Sequence, residues 1–320
     1  MCAASIVSRA EMQHTPTRVA VCISTLKRKK LLIELLHGLG KLSFGKVQDP
    51  QIEIVVVDND ESGSARDICE SVSLPWPIKY VIEPRRGLTY ARNRAVAEAG
   101  LAAFIAFIDD DEVPSPQWLD ELLWAQAEFG ADVVAGPVSP TYAPEVADWI
   151  KAGGFFASPP RATGTRCKTA ATHNGLAATH VFKSVPGFDH TFALSGAEDT
   201  DFFLRAAQAG CKIVWSQEAV VFECTSAKRG TISWILRREY QTGNGWVFCE
   251  AVIDRRVRSR IARFVKACGH VAVGSAFAIW SSLRLDRAAV VRSLCRVSMG
   301  AGMLTALAGR RFLAYQNPGS

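Results

Sequence analysis

Four consecutive carboxylates, Asp109-Asp110-Asp111-Glu112, follow an apolar run in this 320-residue chain. So many like charges at one point repel, and a divalent cation would relieve the repulsion; oxygen ligands suit Mg2+ or Mn2+. Mg2+ takes one or two protein carboxylates and completes its shell with substrate phosphates. On an extended backbone alternate residues share a side, so Asp109 and Asp111 are expected to face together and Asp110 to point away. The plainer reading is a solvated turn ahead of Pro114. A second cluster, Glu198-Asp199-Thr200-Asp201, opens an apolar helical pattern with Phe202, Phe203 and Leu204. The helix dipole favours acids in a first turn, but one cap needs one acid and three stand here within four positions. Asp199 is the candidate general base, a role that needs a carboxylate aimed into a cleft. Asp58 ends another apolar run, where it can accept hydrogen bonds from a base edge or ribose hydroxyls; Asn59-Asp60 and Ser62-Gly63 also read as an ordinary turn. Arg86, Arg92 and Arg94 surround the start of a helix opened by Gly87 and are candidates to face phosphate, Arg94 reading also as a plain surface side chain. Gly87 lacks the companion glycines of a dinucleotide fingerprint.

The elements that must position these groups alternate. Strands are expected at Arg18–Ser24, Ile52–Val57, Ile78–Ile82, Ala103–Ile108 and Asp132–Val138. Helices are expected at Lys30–Leu42, Ser64–Val72, Leu88–Ala99 and Trp118–Phe129. That alternation indicates an α/β fold with a mostly parallel sheet covered by helices on both faces. Ligands of such sheets bind outside the carboxyl ends of the strands, where Thr25, Arg28, Asp58 and Asp109–Asp111 fall. Ser139–Ala171, with four prolines and Gly153-Gly154, reads as a connection between two halves. Order resumes at Asn174–Phe182 and Glu198–Ala209, with short strands at Lys212–Trp215 and Ala219–Phe222 and a helix at Thr231–Tyr240.

Composition sets the bounds. With 48% hydrophobic and 21% charged residues a sizeable core can form and global disorder is excluded. Nine scattered cysteines with no C-x-x-C pair argue against a disulfide framework or a structural zinc and for a reducing cytoplasm. Residues 1–17 carry no apolar segment of a secretory signal. From Ala227 onward there are 16 Lys/Arg against 4 Asp/Glu, so a mildly acidic body precedes a basic tail. No zinc-finger or RNP-like pattern accompanies that charge, and no nucleic-acid partner is expected.

Taken in order, the segments VAVCISTLKR, VVVDND, GLTYARNRA, AFIDDDEVP, GFDHTFALSGAEDTDFFLRAAQAG and RREYQTGNGW resemble the family 2 glycosyltransferases, of the GT-A fold. The resemblance covers residues 18–246 as a catalytic domain and leaves 247–320 as a helical, basic tail. It is nearest to enzymes of bacterial exopolysaccharide assembly. It implies an inverting transfer of a hexose, with glucose expected, from a UDP-sugar to a polyprenyl-linked saccharide in extracellular polysaccharide synthesis. It places Thr25 and Arg28 near the nucleotide and Asp58 against uracil or ribose. Asp111 becomes the direct ligand of a Mn2+ or Mg2+ ion, with Asp109 nearer the ribose. Asp199 matches the catalytic base and Glu198 a residue orienting base or acceptor. Arg237, Arg238 and Gln241 fall toward diphosphate or acceptor; Arg237 and Gln241, four apart, share a helical face. Where many relatives have a metal-binding histidine this chain has Glu223, a substitute oxygen ligand.

Two other functional classes compete. A non-catalytic nucleotide- or glycan-binding subunit would keep the sheet but has no need of the Glu198-Asp199 pair. A sugar-phosphate nucleotidyltransferase needs a glycine-rich loop after the first strand, and Ser24–Lys30 has no glycine. In the tail, Val271–Leu283 is uncharged, but thirteen residues are too few to span a bilayer, which takes about 20. Flanked by arginines, it is expected either to lie on or dip into the inner leaflet of the cell membrane from the cytoplasmic side, or to belong to a helical pair packed on the catalytic domain with a solvated basic face.

Overall fold

Apolar runs bounded by polar turns give strands and helices in nearly the expected order. The computed structural model describes residues 16–313; most of the stretch expected to carry no signal segment lies outside them. The first half holds β1 (Arg18–Thr25), α1 (Lys29–Leu39), β2 (Gln51–Asp58), α2 (Arg66–Ser71), β3 (Ile78–Ile82), α3 (Leu88–Glu98), β4 (Phe104–Ile108), β5 (Glu112–Pro114) and α4 (Trp118–Phe129). Then come β6 (Val133–Ala135), β7 (Val138–Tyr142), α5 (Asp148–Gly153), β8 (Asn174–Ala178), α6 (Val181–Ser184) and α7 (Glu198–Gln208). The chain continues through β9 (Ile213–Trp215), β10 (Val221–Thr225), α8 (Ile232–Ile253), α9 (Val257–Leu283) and α10 (Arg287–Leu307).

The main sheet has the order β3-β2-β1-β4-β8-β6-β9. Its pairs are parallel except at β8, which runs antiparallel to both β4 and β6. Alternation along β1 decides which helix each residue meets. Val19, Val21 and Ile23 pack with Leu32, Leu35 and Leu36 of α1 and Trp118 of α4, whereas Ala20 and Cys22 pack with Ala91 and Ala95 of α3 and Phe202 and Phe203 of α7. Both faces are thereby buried, as a mostly parallel sheet requires.

The strand expected at 132–138 is two strands in two sheets. β6 stays in the main sheet, and β7 joins β5 and β10 in a three-stranded sheet. The break falls at Gly136-Pro137. A Cβ on Gly136 would lie 2.3 Å from Ala219 O, so only glycine allows this approach. Pro137 has no N–H to donate, and the Asn174 amide binds Pro137 O and Ala219 O, stitching the junction. The small sheet was not legible as such, and it sets Glu112 of β5 opposite Glu223 of β10. Helix α8, expected to end near Tyr240, runs through residue 246 without a break to Ile253. α10 packs along α8, and α9 packs on the outside of α10.

Candidate active site

The first acidic cluster sits beyond β4 in a turn rather than on an extended backbone, and this changes which side chains face together. Asp110 does not point away. It is buried, accepting hydrogen bonds from Thr25 Oγ1 at 2.8 Å and from Arg28 Nη1 at 2.8 Å. The same Arg28 nitrogen lies 3.3 Å from Asp111 Oδ2, so Asp110 and Asp111 share a cation. Asp109 lies 3.2 Å from Arg92 Nη2. Burial pushes the Asp110 carboxyl up to about 6, against the pull of Arg28. Glu112 is buried with its carboxylate receiving the Asp109 N–H, and burial, reinforced by the Asp109 charge, raises its pKa well above the usual carboxylate range.

Arg229 is a member of the site that sequence reasoning missed. It comes from the Ser226–Gly230 turn after β10 and pairs with both Asp111, at 3.0 Å, and Glu223. Burial and the Asp111 charge raise the Glu223 carboxyl. The only signal for Arg229 was its place in the short connection after the strand that carries Glu223; nothing local ties it to Asp111.

The second cluster opens α7. Gly196 and Ala197 both have positive φ, 74° and 68°, and the latter is a conformation that costs a residue with a Cβ on the order of 1 kcal/mol. Neighbours on α8 hold this turn: the Cys249 thiol donates to Ala197 O, and a Cβ on Gly245 would sit 2.8 Å from the Ala197 methyl. The first residues of α7 are thus aimed from α8. Glu198 is buried and ion-paired with Arg92 Nη1. Burial raises its carboxyl pKa even against the arginine. Asp199 is half-buried, accepting from Thr200 N at 2.6 Å and Thr172 N at 3.4 Å. Buried polar atoms are normally paired. Here the buried Glu198 Oε2 and Thr172 Oγ1 have no protein partner.

Arg92 joins the two clusters, one guanidinium nitrogen on Asp109 and the other on Glu198. Arg94 takes no part; it pairs with Glu98 one turn along α3. Asp58 is fully buried with its oxygens engaged by Asp60 N, Ala65 N and the Tyr80 hydroxyl, so it organises the turn after β2. Asn59 does the same for the next loop, its amide binding Glu83 O and Arg85 O and its oxygen receiving Gly87 N–H. At Gly87, φ is 135° and a Cβ would lie 2.9 Å from the Ala193 methyl, which accounts for a glycine at the head of α3. Arg238 lies over Trp234 and its charge reaches Glu223. Arg237 and Gln241 share a face as expected, but beside Phe312 and the Ser195 turn rather than among the acids.

Among the described residues no group of three or more His, Cys, Asp or Glu side chains forms a ready metal shell. The donors available are hard carboxylate oxygens on Asp109, Asp111 and Glu223, with Arg28 and Arg229 set against Asp111 as counter-cations. That set fits an ion taking one or two protein oxygens and the rest from a phosphate ligand, and does not fit an all-protein cage.

Comparison with known proteins bears on the family and the fold. Glycosyl transferase family 2 matches residues 20–183, and Glycosyl transferase family group 2 matches residues 104–310. The chain is 30% identical over 304 residues to the succinoglycan biosynthesis protein ExoM of Rhizobium meliloti (strain 1021), covering 93% of this chain and 95% of the relative. It is 23% identical over 237 residues to the glycosyltransferase AglE of Haloferax volcanii, covering 74% and 75%. The mannosyltransferase PcManGT from Pyrobaculum calidifontis, solved with GDP-Man and Mn2+, superposes with a TM-score of 0.62 at 18% identity, over 93% of this chain and 89% of that one. TarS 1-349 of S. aureus, solved with UDP-GlcNAc, superposes with a TM-score of 0.53 at 15% identity, over 92% and 93%. These likenesses show the fold to be GT-A, and the family matches carry the further conclusion that the chain belongs to glycosyl transferase family 2.

Proposed function

We propose that this glycosyltransferase is an inverting hexosyltransferase of exopolysaccharide synthesis. It takes its sugar, glucose in our reading, from a UDP-sugar and adds it to a polyprenyl-linked saccharide at the cytoplasmic face of the membrane. The observation that carries the reading is the Arg92 bridge: it ties the acids at the strand end to the acids at the head of α7, so donor and acceptor chemistry share one place. Similarity to ExoM along nearly the whole chain supports the exopolysaccharide role.

In this mechanism Asp199 takes the proton of the acceptor hydroxyl as that oxygen attacks the anomeric carbon. The Thr172 and Thr200 N–H groups hold the carboxylate in orientation. Glu198, buried and fixed by Arg92, orients the acceptor or the base. Thr25 and Arg28 hold Asp110 and Asp111 at the edge of the nucleotide site, and Asp109 lies toward the ribose. Arg28, Arg229 and Arg238 supply positive charge for the departing diphosphate. A bound Mn2+ or Mg2+, held by Asp111 with Asp109 or Glu223 beside it, would add Lewis-acid neutralisation of that leaving group. A screen of nucleotide sugars with purified protein and a membrane extract containing the acceptor lipid tests this. Release of UDP from one donor in a divalent-dependent manner is expected. No nucleoside diphosphate from any donor would overturn the activity, and full turnover after chelation would remove the metal.

A further inference from the structure

The hairpin α9–α10 is built inside out. α9 buries only Arg263, Ala267, Gly274 and Ser281, a seam of mostly small side chains. α10 meets it with small residues: a Cβ on Gly274 would lie 2.8 Å from Ser293 O, and one on Gly300 2.8 Å from Ala267 O. Close backbone approach through small residues is how helices associate in lipid, where burying large side chains gains little. The large apolar side chains of α9 point the other way. Ile261, Val265, Phe277, Ile279, Trp280 and Leu283 are between 54% and 77% exposed. Residues 267–283 contain no Asp, Glu, Lys or Arg, while Arg255, Arg256, Arg258 and Arg260 precede the stretch and Arg284 and Arg287 follow it. The Arg284 guanidinium lies 4.8 Å from the Trp280 ring, an aromatic–cation pair suited to a headgroup region.

We infer that the outer face of α9 is a docking surface for an anionic lipid leaflet, with the helix lying in the plane of the interface. The inference rests on the membrane-surface reading above and gives it a location. Charge complementarity selects the occupant: an apolar strip ending in arginines at both tips matches acyl chains bordered by anionic headgroups. A cleft of about 710 Å³ beside the first turns of α9 is lined by Arg166, Lys168, Lys212 and Lys266 and also by Glu250 and Asp254, with Arg263 paired to Glu250, so its charge is mixed and it is no part of the outer face. It lies at the end of α7 away from Glu198 and Asp199, so it is distinct from the donor site.

Both α9 and α10 are long and apolar enough to cross a membrane by length and composition. The thirteen uncharged residues visible in the sequence thus understate α9, which is 27 residues long because its helix continues through the preceding arginines. Crossing is opposed by the way α10 is tied down. Ser298 donates to Leu236 O, Asn244 to Gly302 O and Arg292 to Gly153 O. A hairpin drawn across the bilayer would break these bonds and leave their polar groups in hydrocarbon.

Flotation of the full chain with vesicles of phosphatidylcholine alone, or with about 30% phosphatidylglycerol, tests the inference. At least about tenfold stronger binding to the anionic vesicles is expected. The double variant Ile261→Glu/Ile279→Glu should lose that binding by about tenfold or more while UDP release in vesicle-free solution stays within about twofold. Trp280 fluorescence, taken as the difference from Trp280→Phe, should be quenched more by lipids brominated near the headgroup than near the chain end. Equal flotation of the double variant, no flotation of the unmodified chain, or strongest quenching at the chain end would each overturn the inference. So would a solution dimer that the double variant dissociates, since a second copy would then cover the face. A chain that floats as expected but releases no nucleoside diphosphate would sink the transferase reading and leave the surface standing.

Discussion

At Asp109–Asp111 the negative charge is met by side chains from separate elements: Thr25 at the end of β1, Arg28 just after it, Arg92 from α3, Arg229 from the turn after β10. At Glu198-Asp199 one buried arginine serves the first acid, and main-chain N–H groups hold the second. Cations on long side chains can leave a carboxylate for a phosphate or metal and return. Backbone donors cannot. Under the proposed mechanism this contrast suits the first cluster to exchanging its partners at a donor site and the second to holding one carboxylate still as a general base.

The sharpest way to break this contrast is Asp199→Asn. It should lower turnover by about 1,000-fold, within the range for a lost general base, while UDP affinity stays within about threefold. Single-turnover transfer and UDP titration measure the two, and near-normal turnover would remove Asp199 from the chemistry. Next is Arg92→Ala, which leaves buried Glu198 without its cation and should cost about 3–5 kcal/mol in denaturant unfolding. A loss under about 1 kcal/mol would mean the clusters are not joined through this side chain.

Asp110→Asn should act through pH. The unfolded chain releases this proton near 3.8 and the folded chain near 6, so the folded form binds it more tightly. The group's contribution to stability therefore falls as pH rises through that window and is level above it, a change of about 3 kcal/mol. The variant should gain on the unmodified protein by up to that amount between pH 4 and 6; parallel curves from urea unfolding would contradict the burial argument. Arg229→Ala should weaken UDP binding by about tenfold, the scale of one charge-assisted hydrogen bond. It should also tighten binding of Mn2+ alone, seen by the spectrum of the free ion, because Asp111 and Glu223 lose their competing cation. The smallest effect belongs to Arg94→Ala, which removes only a surface pair and should change stability by less than about 0.5 kcal/mol.

What the sequence revealed was what is local. Apolar runs located β1 to β4, and the acids at their ends pointed to the proposed site, because the strand-end rule needs only order along the chain. What escaped depends on contacts between distant residues. Asp110 was set on the wrong side because the cluster forms a turn, and alternation holds only on extended backbone. Arg229 and Thr172 reach Asp111 and Asp199 across 118 and 27 positions, and no local pattern marks such meetings. The antiparallel β8 in the middle of the sheet and the second sheet were hidden for the same reason. Asp58 was open to two readings, a ligand contact or a turn, and its hydrogen bonds to Ala65 N and the Tyr80 hydroxyl give it a part in the turn.

Helix α8 is a single piece about 33 Å long. One end carries Arg237, Arg238 and Gln241, its middle is pressed against Ala197, and its far end gives Glu250 to Arg263 of α9. Two glycine contacts fix its rotation: a Cβ on Gly243 would sit 2.2 Å from Met299 O, and one on Gly302 would sit 2.0 Å from Tyr240 O. A single residue inserted between Gln241 and Glu250 would turn everything beyond it by about 100° about the axis. The segment can drift in sequence at its exposed positions, but its residue count is locked, and homologous chains should vary in length in the loops around it and not within it.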